Sequence, residues 1–309
     1  MIICREIPST NRPTALTVGT FDGVHLGHQT LLAKLKAEAK ARALPASVLT
    51  FEPHPREFFA PELAPARLTD LRKKSEHLTR CGVDVLFVQR FDSGFAQLSA
   101  HEFAGQIEKL NARYVLIGDD FRFGKDRKGD FDFLKSAAAN FELCRMESVI
   151  IAGERVSSSA IRAALAMGNL SDASRLLGRE YSMSGKVVHG DGVGKQIGFP
   201  TANIHLKNLR PPLMGIFVVE ASGVGASRLY GVASLGVRPT VSSTGKPVLE
   251  VHLFDFDDEI YGRRIEVFFL HKLRDEAKYP DLKKLTEQIA KDVENAKAWF
   301  VAGRSRLVI

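Results

Sequence analysis

Short apolar segments alternate with segments of helical spacing along the first half of the chain. The apolar segments predict strands at 15–18, 47–51, 84–89, 113–117 and 143–151. Between them, apolar residues recur three or four positions apart, as at Phe103, Ile107 and Leu110, which predicts helices. This alternation favours an α/β fold with a parallel sheet covered on both faces. Such sheets bind ligands at the carboxyl ends of their strands.

The pattern changes near residue 180. Before it, two short helices are predicted from the apolar residues Ile161, Leu165, Leu170, Leu176 and Leu177. After it, strands are predicted at 183–188, 216–220, 229–235, 248–254 and 265–270, with Gly and Pro clusters between them. This second pattern predicts a small antiparallel β-barrel. An amphipathic C-terminal helix follows, with its apolar residues at Leu282, Leu285, Ile289 and Ala296 and its end at Trp299 and Phe300.

The 309 residues suffice for about two domains, which we expect at 1–180 and 181–309. The net charge of +7 allows either a nucleic-acid partner or polyanionic small substrates, and the dispersed basic residues favour the second. Cys4, Cys81 and Cys144 are isolated, so they fit neither a disulfide framework nor a Cys-x-x-Cys metal site. A cytoplasmic location is expected, because the N-terminus has no signal-peptide pattern and no apolar segment is long enough to span a membrane.

The segment 16–28 carries the strongest chemical signal. An apolar strand breaks at Gly19, a glycine-rich loop follows, and a helix is predicted from the apolar residues Leu31, Leu32, Leu35 and Ala39. His25 and His28 therefore stand at a helix N-terminus, where backbone N–H groups favour anionic oxygens. Two imidazoles there can donate hydrogen bonds to phosphoryl oxygens. A metal site, or two structural histidines, is the alternative that the spacing leaves open.

Three further motifs of the first half come after predicted strands. Residues 50–55 hold two prolines that fix an extended turn around His54, with Phe58 and Phe59 just beyond. Residues 118–124 form an aromatic, glycine-rich loop that suits a planar ring and a phosphate; a surface loop with inward-packed phenylalanines is the alternative. Residues 155–162 place serines before a helix with Arg162 one turn in, which is typical of either N-caps or a phosphate clamp.

In the second half, residues 190–203 combine a glycine loop with Gly-Phe-Pro-Thr-Ala-Asn. Such a loop can lie over phosphates. Thr201 and Asn203 are two residues apart, so an extended chain directs both to one face, where their oxygens suit a hard divalent ion. Glu250 lies mid-strand on the same face as His252. It is either a solvated edge residue or the carboxylate that orients an acceptor hydroxyl.

Gly-Thr-Phe-Asp-Gly-Val-His-Leu-Gly-His at 19–28 resembles the loop of the nucleotidylyltransferases that carry His-x-Gly-His, in the form found in enzymes that adenylylate flavin mononucleotide (FMN). The motifs at 50–55, 118–124 and 155–162 resemble the same family, with Ser159 where Thr is usual. The resemblance implies that His25 and His28 are catalytic. It further implies two groups of binding residues: nucleotide contacts at Gly19, Phe21, Asp120, Arg155, Ser158, Ser159 and Arg162, and flavin contacts at Phe59 and Phe123.

The hexapeptide at 198–203 resembles riboflavin kinase, as do 231–240, 248–254 with 260–262, and 273–276. This resemblance implies that Thr201 and Asn203 hold Mg²⁺ and ATP, and that Glu250 is catalytic. It also implies nucleotide contacts at Gly190, Gly194 and Lys195, where Lys195 replaces the usual Arg and loses its bidentate fork, and a flavin contact at Arg274.

The resemblance covers nearly the whole chain and is to the bifunctional bacterial riboflavin kinase and FAD synthetase family. It implies a nucleotidylyltransferase-type (Rossmann-like) domain followed by a riboflavin kinase barrel. The implied reactions are phosphorylation of riboflavin to FMN by ATP, with Mg²⁺, and adenylylation of FMN to FAD by a second ATP. We expect a monomer or weak homo-oligomer with no nucleic-acid or membrane partner. A nucleic-acid-binding protein and a non-catalytic flavin-binding regulator are the two competing hypotheses.

Overall fold

The structure is a computed structural model that describes residues 1–5, 7–8, 12–137, 140–190, 192–206, 210–237 and 247–305. The chain forms two compact units. One comprises Met1–Pro65 and Thr69–Ser158, and the other comprises Ala66–Leu68 and Ser159–Ile309. Within the described ranges, no helix is both long and apolar enough to cross a bilayer.

The first unit contains strands and helices in alternation. Its strands are β1 (Ile2–Arg5), β2 (Thr14–Val18), β3 (Ala46–Glu52), β4 (Val85–Arg90), β5 (Ala112–Gly118), β6 (Glu142–Met146), β7 (Ile150–Ile151) and β8 (Glu154–Arg155). Its helices are α1 (Leu26–Ala41), α2 (Pro55–Phe59), α3 (Leu71–Arg80), α4 (Ser93–Ala96), α5 (Ala100–Lys109) and α6 (Phe131–Ala137), and α7 (Ser158–Ala166) begins at its last residue.

Six of the described strands form one parallel sheet in the order β1-β4-β3-β2-β5-β6. Two buried clusters cover its faces, one around Leu32, Leu35 and Tyr114 and the other around Phe103 and Ile107. The predicted helix positions of α1 are all buried. The prediction of a parallel α/β sheet is therefore confirmed, and apolar residues on both faces of β2 and β3 are what a sheet covered on both sides requires.

Three details of the sequence prediction were wrong. The strand predicted over 143–151 is divided, because β6 belongs to the parallel sheet whereas β7 pairs with β8 in a separate antiparallel ribbon. The N-terminal strand β1, which pairs with β4, was not predicted. Pro55 is not part of an extended turn but the first residue of α2, a position that a helix tolerates because no intrahelical N–H bond is lost there.

The second unit contains α7, α8 (Leu170–Leu177) and a closed barrel followed by a long helix. The barrel strands are β9 (Tyr181–Val188), β10 (Ala202–His205), β11 (Gly215–Ser222), β12 (Leu229–Val237), β13 (Pro247–Leu253) and β14 (Arg264–Arg274). A short helix, α9 (Val193–Gln196), lies between β9 and β10, and α10 (Leu282–Ser305) ends the described chain.

The barrel closes in the order β10-β13-β12-β11-β14-β9, and every described pairing within it is antiparallel. The apolar face of α10 packs on the outside of the barrel through Val293 and Ala296, with Ile289, Trp299 and Phe300 around them. The predicted barrel and C-terminal helix are confirmed. Strand β10, which the periodicity did not identify, closes the barrel between β9 and β13.

Candidate active sites

The motifs of the first unit meet at one edge of its sheet. β3, β2 and β5 are adjacent parallel strands, and the loops that begin at Gly19, Pro53 and Asp119 leave their carboxyl ends. Sequence segments that are far apart in the chain are thereby brought to the edge where open parallel sheets bind ligands. Three of the four motifs therefore lie at strand ends of the parallel sheet as predicted, whereas the motif at 155–162 follows β8 of the separate ribbon.

His25 is the N-cap of α1, and its Nδ1 accepts a hydrogen bond from the backbone N–H of His28 at 3.3 Å. A neutral imidazole that accepts at Nδ1 carries its proton at Nε2. The two histidine rings are stacked with centroids 3.7 Å apart, and the ring of Phe21 lies 4.9 Å from that of His28. His25 is buried, whereas His28 is partly exposed. The cap therefore fixes the orientation of both rings at the helix N-terminus.

Two glycines of this loop, Gly19 and Gly27, lie close to aromatic rings. A Cβ on Gly27 would lie 3.1 Å from Nδ1 of His25, and one on Gly19 would lie 3.2 Å from the ring of Phe21. Phe21 itself is only 2% exposed and belongs to the hydrophobic core. Its side chain supports His28, so a contact with a nucleotide from this residue would have to come from its backbone.

The predicted flavin residues differ in exposure. Phe59 is 63% exposed and makes an edge contact with Phe91, at a centroid distance of 5.6 Å. Phe123 is 5% exposed and stacks on Phe103 in the core at 4.9 Å. The alternative of an inward-packed phenylalanine therefore describes the side chain of Phe123, while Phe121 beside it is partly exposed.

Asp120 and Arg155 are both exposed and form an ion pair, with Nη2 of Arg155 2.8 Å from Oδ2 of Asp120. The same nitrogen lies 3.3 Å from Oδ1 of Asp119, which also accepts from the Ser148 hydroxyl. The structure thus joins two predicted nucleotide residues to each other. Exposed pairs of this kind contribute little stability, so an anion can displace the carboxylates at low cost.

The serines and arginine of 155–162 occupy the start of α7. The hydroxyl of Ser158 donates to the carbonyl oxygen of Asp22 at 2.9 Å, and Ser159 is exposed on the next position. Arg162 is partly buried, and its Nε donates to the carbonyl oxygen of Ala66 at 2.7 Å. This hydrogen bond to a backbone carbonyl orients the guanidinium group of Arg162.

The second unit contains a cavity of about 260 Å³. Thr201 from the segment before β10, Glu250 from β13 and Arg274 from β14 line it together. Apolar side chains form part of its wall, including Phe199, Ile216, Val232, Leu285 and Ile289. An apolar cavity with a few convergent polar groups is the usual form of a small-molecule site.

Glu250 lies in a row of polar residues across three strands. Its register partner on β10 is Asn203, and its partner on β12 is Ser234. Side chains directly opposite on neighbouring strands lie on one face, with Cβ atoms about 5 Å apart. The barrel therefore aligns the amide, the carboxylate and the hydroxyl, although 47 residues separate Asn203 from Glu250 in the sequence.

The glycine loop lies against Thr201 and Asn203. A Cβ on Gly190 would lie 2.3 Å from Nδ2 of Asn203, and one on Gly194 would lie 3.2 Å from Oγ1 of Thr201. Lys195 is exposed on α9, and Asp191 of the same loop lies outside the described residues. Only glycine allows the loop to approach the two side chains this closely.

Arg274 makes a bidentate ion pair with Asp292 of α10, at 2.9 Å from Nε to Oδ1 and 2.5 Å from Nη2 to Oδ2. The hydrogen bonds that Arg274 donates to the Asp292 carboxylate are the main cause that raises the pKa of Arg274 above its ordinary value. Both residues line the cavity. Arg274 therefore fastens β14 to α10 as well as facing the place where a substrate would lie.

Glu276 is a cavity residue within the motif at 273–276, and the sequence analysis gave it no role of its own. Its carboxylate lies against Gly236, and Ser234 donates to it at 3.5 Å. Burial, with a smaller contribution from the Glu250 carboxylate, raises the pKa of Glu276 above its ordinary value. Periodicity in the sequence does not show this environment, because it arises where the segment after β14 meets Ser234 and Gly236 of β12, across the intervening strand β11.

The donor set suits magnesium held together with phosphates. Thr201, Asn203 and Glu250 offer oxygen atoms, the ligands that hard divalent ions prefer. No group of three or more His, Cys, Asp or Glu residues in the described part of the chain could hold a metal by itself. An ion at this site would therefore need oxygens from a nucleotide in addition to those of the protein.

Comparisons with known proteins match the two parts of the chain to two families. A family model for FAD synthetase matches residues 7–160, and one for riboflavin kinase matches residues 177–300. Neither family model covers residues 161–176. The domain boundary that we predicted after residue 180 therefore stays a prediction. The kinase-like motif at 231–240 is described up to residue 237, and its last three residues, 238–240, lie outside the described part.

Curated relatives match over nearly their whole length. The chain is 45% identical to a bifunctional riboflavin kinase/FMN adenylyltransferase of Escherichia coli (strain K12), over 92% of each chain. It is 44% identical to one of Haemophilus influenzae, over 97% of this chain and 99% of the relative. A crystal structure described as a macrolide-efflux protein from Streptococcus pneumoniae superposes with a TM-score of 0.81 and 30% identity, covering 97% of this chain and all of that one. The chain therefore belongs to the bifunctional riboflavin kinase/FMN adenylyltransferase family.

Proposed function

We propose that this chain phosphorylates riboflavin to FMN through residues of its barrel and adenylylates FMN to FAD through the motifs of residues 19–162. Each reaction consumes one ATP. The kinase releases ADP and the adenylyltransferase releases pyrophosphate. Family membership supports the pair of activities, and the two assembled sites support their division between the units.

In the kinase reaction the ribityl 5′-hydroxyl oxygen attacks the γ-phosphorus of ATP, and the bond from that phosphorus to the β–γ bridging oxygen breaks. Glu250 orients the hydroxyl and accepts its proton. Thr201 and Asn203 hold the nucleotide, with Gly190, Gly194 and Lys195 around its phosphates. Magnesium bound with these residues would neutralise charge on the transferring group. Arg274 contacts the flavin from the position that its pair with Asp292 fixes.

In the adenylyl transfer an oxygen of the FMN phosphate attacks the α-phosphorus of ATP, and pyrophosphate leaves. His25 and His28 donate hydrogen bonds to the phosphoryl oxygens as charge grows on them. Support for this role comes from the cap, which keeps Nδ1 of His25 as an acceptor and so leaves the proton of the neutral ring on Nε2. The attacking phosphate is already a nucleophile, so no covalent enzyme intermediate is needed.

Further contacts complete the proposed adenylyltransferase site. Gly19 and the backbone of Phe21 approach the nucleotide, and Asp120 and Arg155 contact it after their ion pair opens. The departing pyrophosphate is held by Ser158, Ser159 and Arg162. Phe59 provides an exposed aromatic surface for the isoalloxazine ring, and Phe123, the second flavin residue, packs in the core beside the partly exposed Phe121.

The observation that carries the kinase assignment is the register of the barrel, which puts Glu250 directly opposite Asn203 on the wall of the cavity. Phosphoryl transfer to a hydroxyl needs a group that orients the hydroxyl and a group that holds the phosphates, placed side by side. Glu250 and Asn203 are proposed for these two roles.

The test is one incubation of the protein with riboflavin, ATP and Mg²⁺, followed by chromatographic separation of the flavins. We expect FMN to form first and FAD to follow. If the protein binds flavin but consumes no ATP, the non-catalytic regulator is favoured. A salt-dependent gel shift would favour nucleic-acid binding.

We further propose that the protein acts in the cytoplasm, in line with its three free cysteines, and that it is a monomer or weak homo-oligomer.

A further inference from the structure

The loop between β2 and α1 has an unusual backbone. Phe21, Gly23 and Val24 all adopt positive φ angles, of 49°, 82° and 40° respectively. Glycine adopts this region freely, but a β-branched residue such as Val24 rarely does. Such a conformation persists only where neighbouring groups hold it, and Val24 is followed directly by the N-cap His25.

Asp22 and Thr69 hold this loop from outside. Oδ1 of Asp22 accepts from the backbone N–H of Thr69 at 3.0 Å and from its hydroxyl at 3.2 Å. The hydroxyl oxygen of Thr69 in turn accepts from the backbone N–H of Gly23 at 3.0 Å. All of these atoms lie in the first unit, and Asp22 is 1% exposed and Thr69 7% exposed. One buried hydroxyl therefore acts as donor and acceptor at once.

The contacts are coupled to the histidines on the other side of Val24. The carbonyl oxygen of Val24 accepts from Nε2 of Gln29, inside the first turns of α1, at 2.9 Å. The carbonyl oxygen of Asp22 accepts from the Ser158 hydroxyl. A shift of Gly23 would therefore move Val24, and with it the ring that caps the helix.

We propose that Thr69, acting through Asp22 and Gly23, is a positioning residue for His25 and His28 in adenylyl transfer. Thr69 makes no direct contact with either histidine in the described part of the chain. It holds the backbone of Gly23 and the side chain of Asp22, and so the loop that orients the two rings. The inference rests on the proposed function, since it concerns the rate at which FMN is adenylylated. It adds a residue 41 positions beyond His28 in the sequence to the determinants of that rate.

The central variant is Thr69→Val, which keeps the shape of the side chain and removes the hydroxyl. Thr69→Ser restores both hydrogen bonds and serves as the rescue variant. Thr17→Val is a matched control, because Thr17 of β2 is fully buried but its hydroxyl has no hydrogen-bond partner among the described residues. Removing a buried hydroxyl of that kind costs little.

The measurement is the steady-state rate of FAD formation from supplied FMN and ATP, with riboflavin phosphorylation by the same protein as the internal control. For Thr69→Val we expect kcat to fall about 10- to 100-fold, the effect of a misplacement on the order of 1 Å, with the KM values changed little. Kinase activity should stay at the level of the unmodified chain. Thr69→Ser should recover most of the rate, and Thr17→Val should retain it.

Two outcomes would overturn the proposal. One is an unchanged kcat in Thr69→Val. The other is a loss of both activities together with a lower melting temperature, which indicates a structural role only. If Thr69→Val yields no folded protein, Asp22→Asn tests the same contacts and should lower kcat with unchanged kinase activity. His28→Ala separates this inference from the proposed function, since loss of FAD formation there with no effect of Thr69→Val would contradict the inference alone.

Discussion

In the first unit the candidate chemical groups lie on loops that leave the carboxyl ends of parallel strands, whereas in the second they lie on or beside the strands of a closed barrel. The histidines owe their position to a helix cap and to a loop with left-handed residues. Glu250 and Asn203 owe theirs to strand register. Two sites proposed to bind the same triphosphate are thus built from different parts of the backbone.

The two sites differ in the interactions that hold their side chains in position. A loop conformation requires specific hydrogen bonds and glycines, so single contacts such as that of Thr69 with Gly23 can shift it. A barrel register is held by many ladder bonds and by alternation of side chains, so slipping it would turn every side chain to the other face. We therefore expect rate losses from remote substitutions in the first unit and mainly from lining residues in the second.

The largest effect is expected for Glu250→Gln, which keeps the size of the side chain and removes the base. Riboflavin phosphorylation should fall about 100- to 10,000-fold, the usual contribution of general base catalysis. FAD formation from supplied FMN should continue. Chromatography of both reactions tests this, and loss of both activities in a folded protein would contradict the separation of the two sites.

His28→Ala is expected to have the reverse effect. FAD formation should fall about 100- to 1,000-fold, the cost of removing one donor to a charged transition state. FMN formation should persist, because Glu250 and Asn203 belong to the other unit. Accumulation of FMN from riboflavin and ATP would be the direct sign, and an unchanged yield of FAD would show that the imidazole is dispensable.

Gly190→Ala tests how closely the glycine loop must approach. The added methyl would lie 2.3 Å from the Asn203 amide, so that side chain has to move. We expect kinase activity to fall about 10- to 100-fold through misplacement of a phosphate ligand. Gly225→Ala is the control, since a Cβ there meets nothing within 4 Å. Equal activity of the two variants would exclude a role for the close approach.

The smallest effect concerns the pH dependence of stability. Because burial raises the pKa of Glu276, the folded state binds its proton more tightly than the unfolded state does. Stability from this group therefore falls as the pH rises from the ordinary glutamate pKa through the raised one. Glu276→Gln should raise the melting temperature at about pH 8 and leave it unchanged below about pH 4. Glu294→Gln, at a position that does not line the cavity, should show no such difference.

The sequence by itself determined the classes of structure and the main chemical groups. The periodicity of apolar residues separates the sheet from the barrel, since covered parallel strands and half-buried antiparallel strands bury different patterns of side chains. The placement of the loop motifs in the first unit requires only local signals, because loops after parallel strands leave the same edge of the sheet. His25 and His28 were identifiable for the same reason, as the glycine loop and the helix adjoin in sequence.

Only the tertiary structure decided which distant residues meet. Strand β10 is too short to show a period, yet it brings Asn203 opposite Glu250. The contacts of Glu276 and Thr69 gave no signal, because hydrogen bonds and desolvation depend on segments that are remote in the chain. The inward packing of Phe123 was likewise decided by its neighbours in the core. The hydrophobic pattern of a segment shows which of its residues share one face of a helix or strand. Which residues of another segment contact that face is decided by tertiary packing.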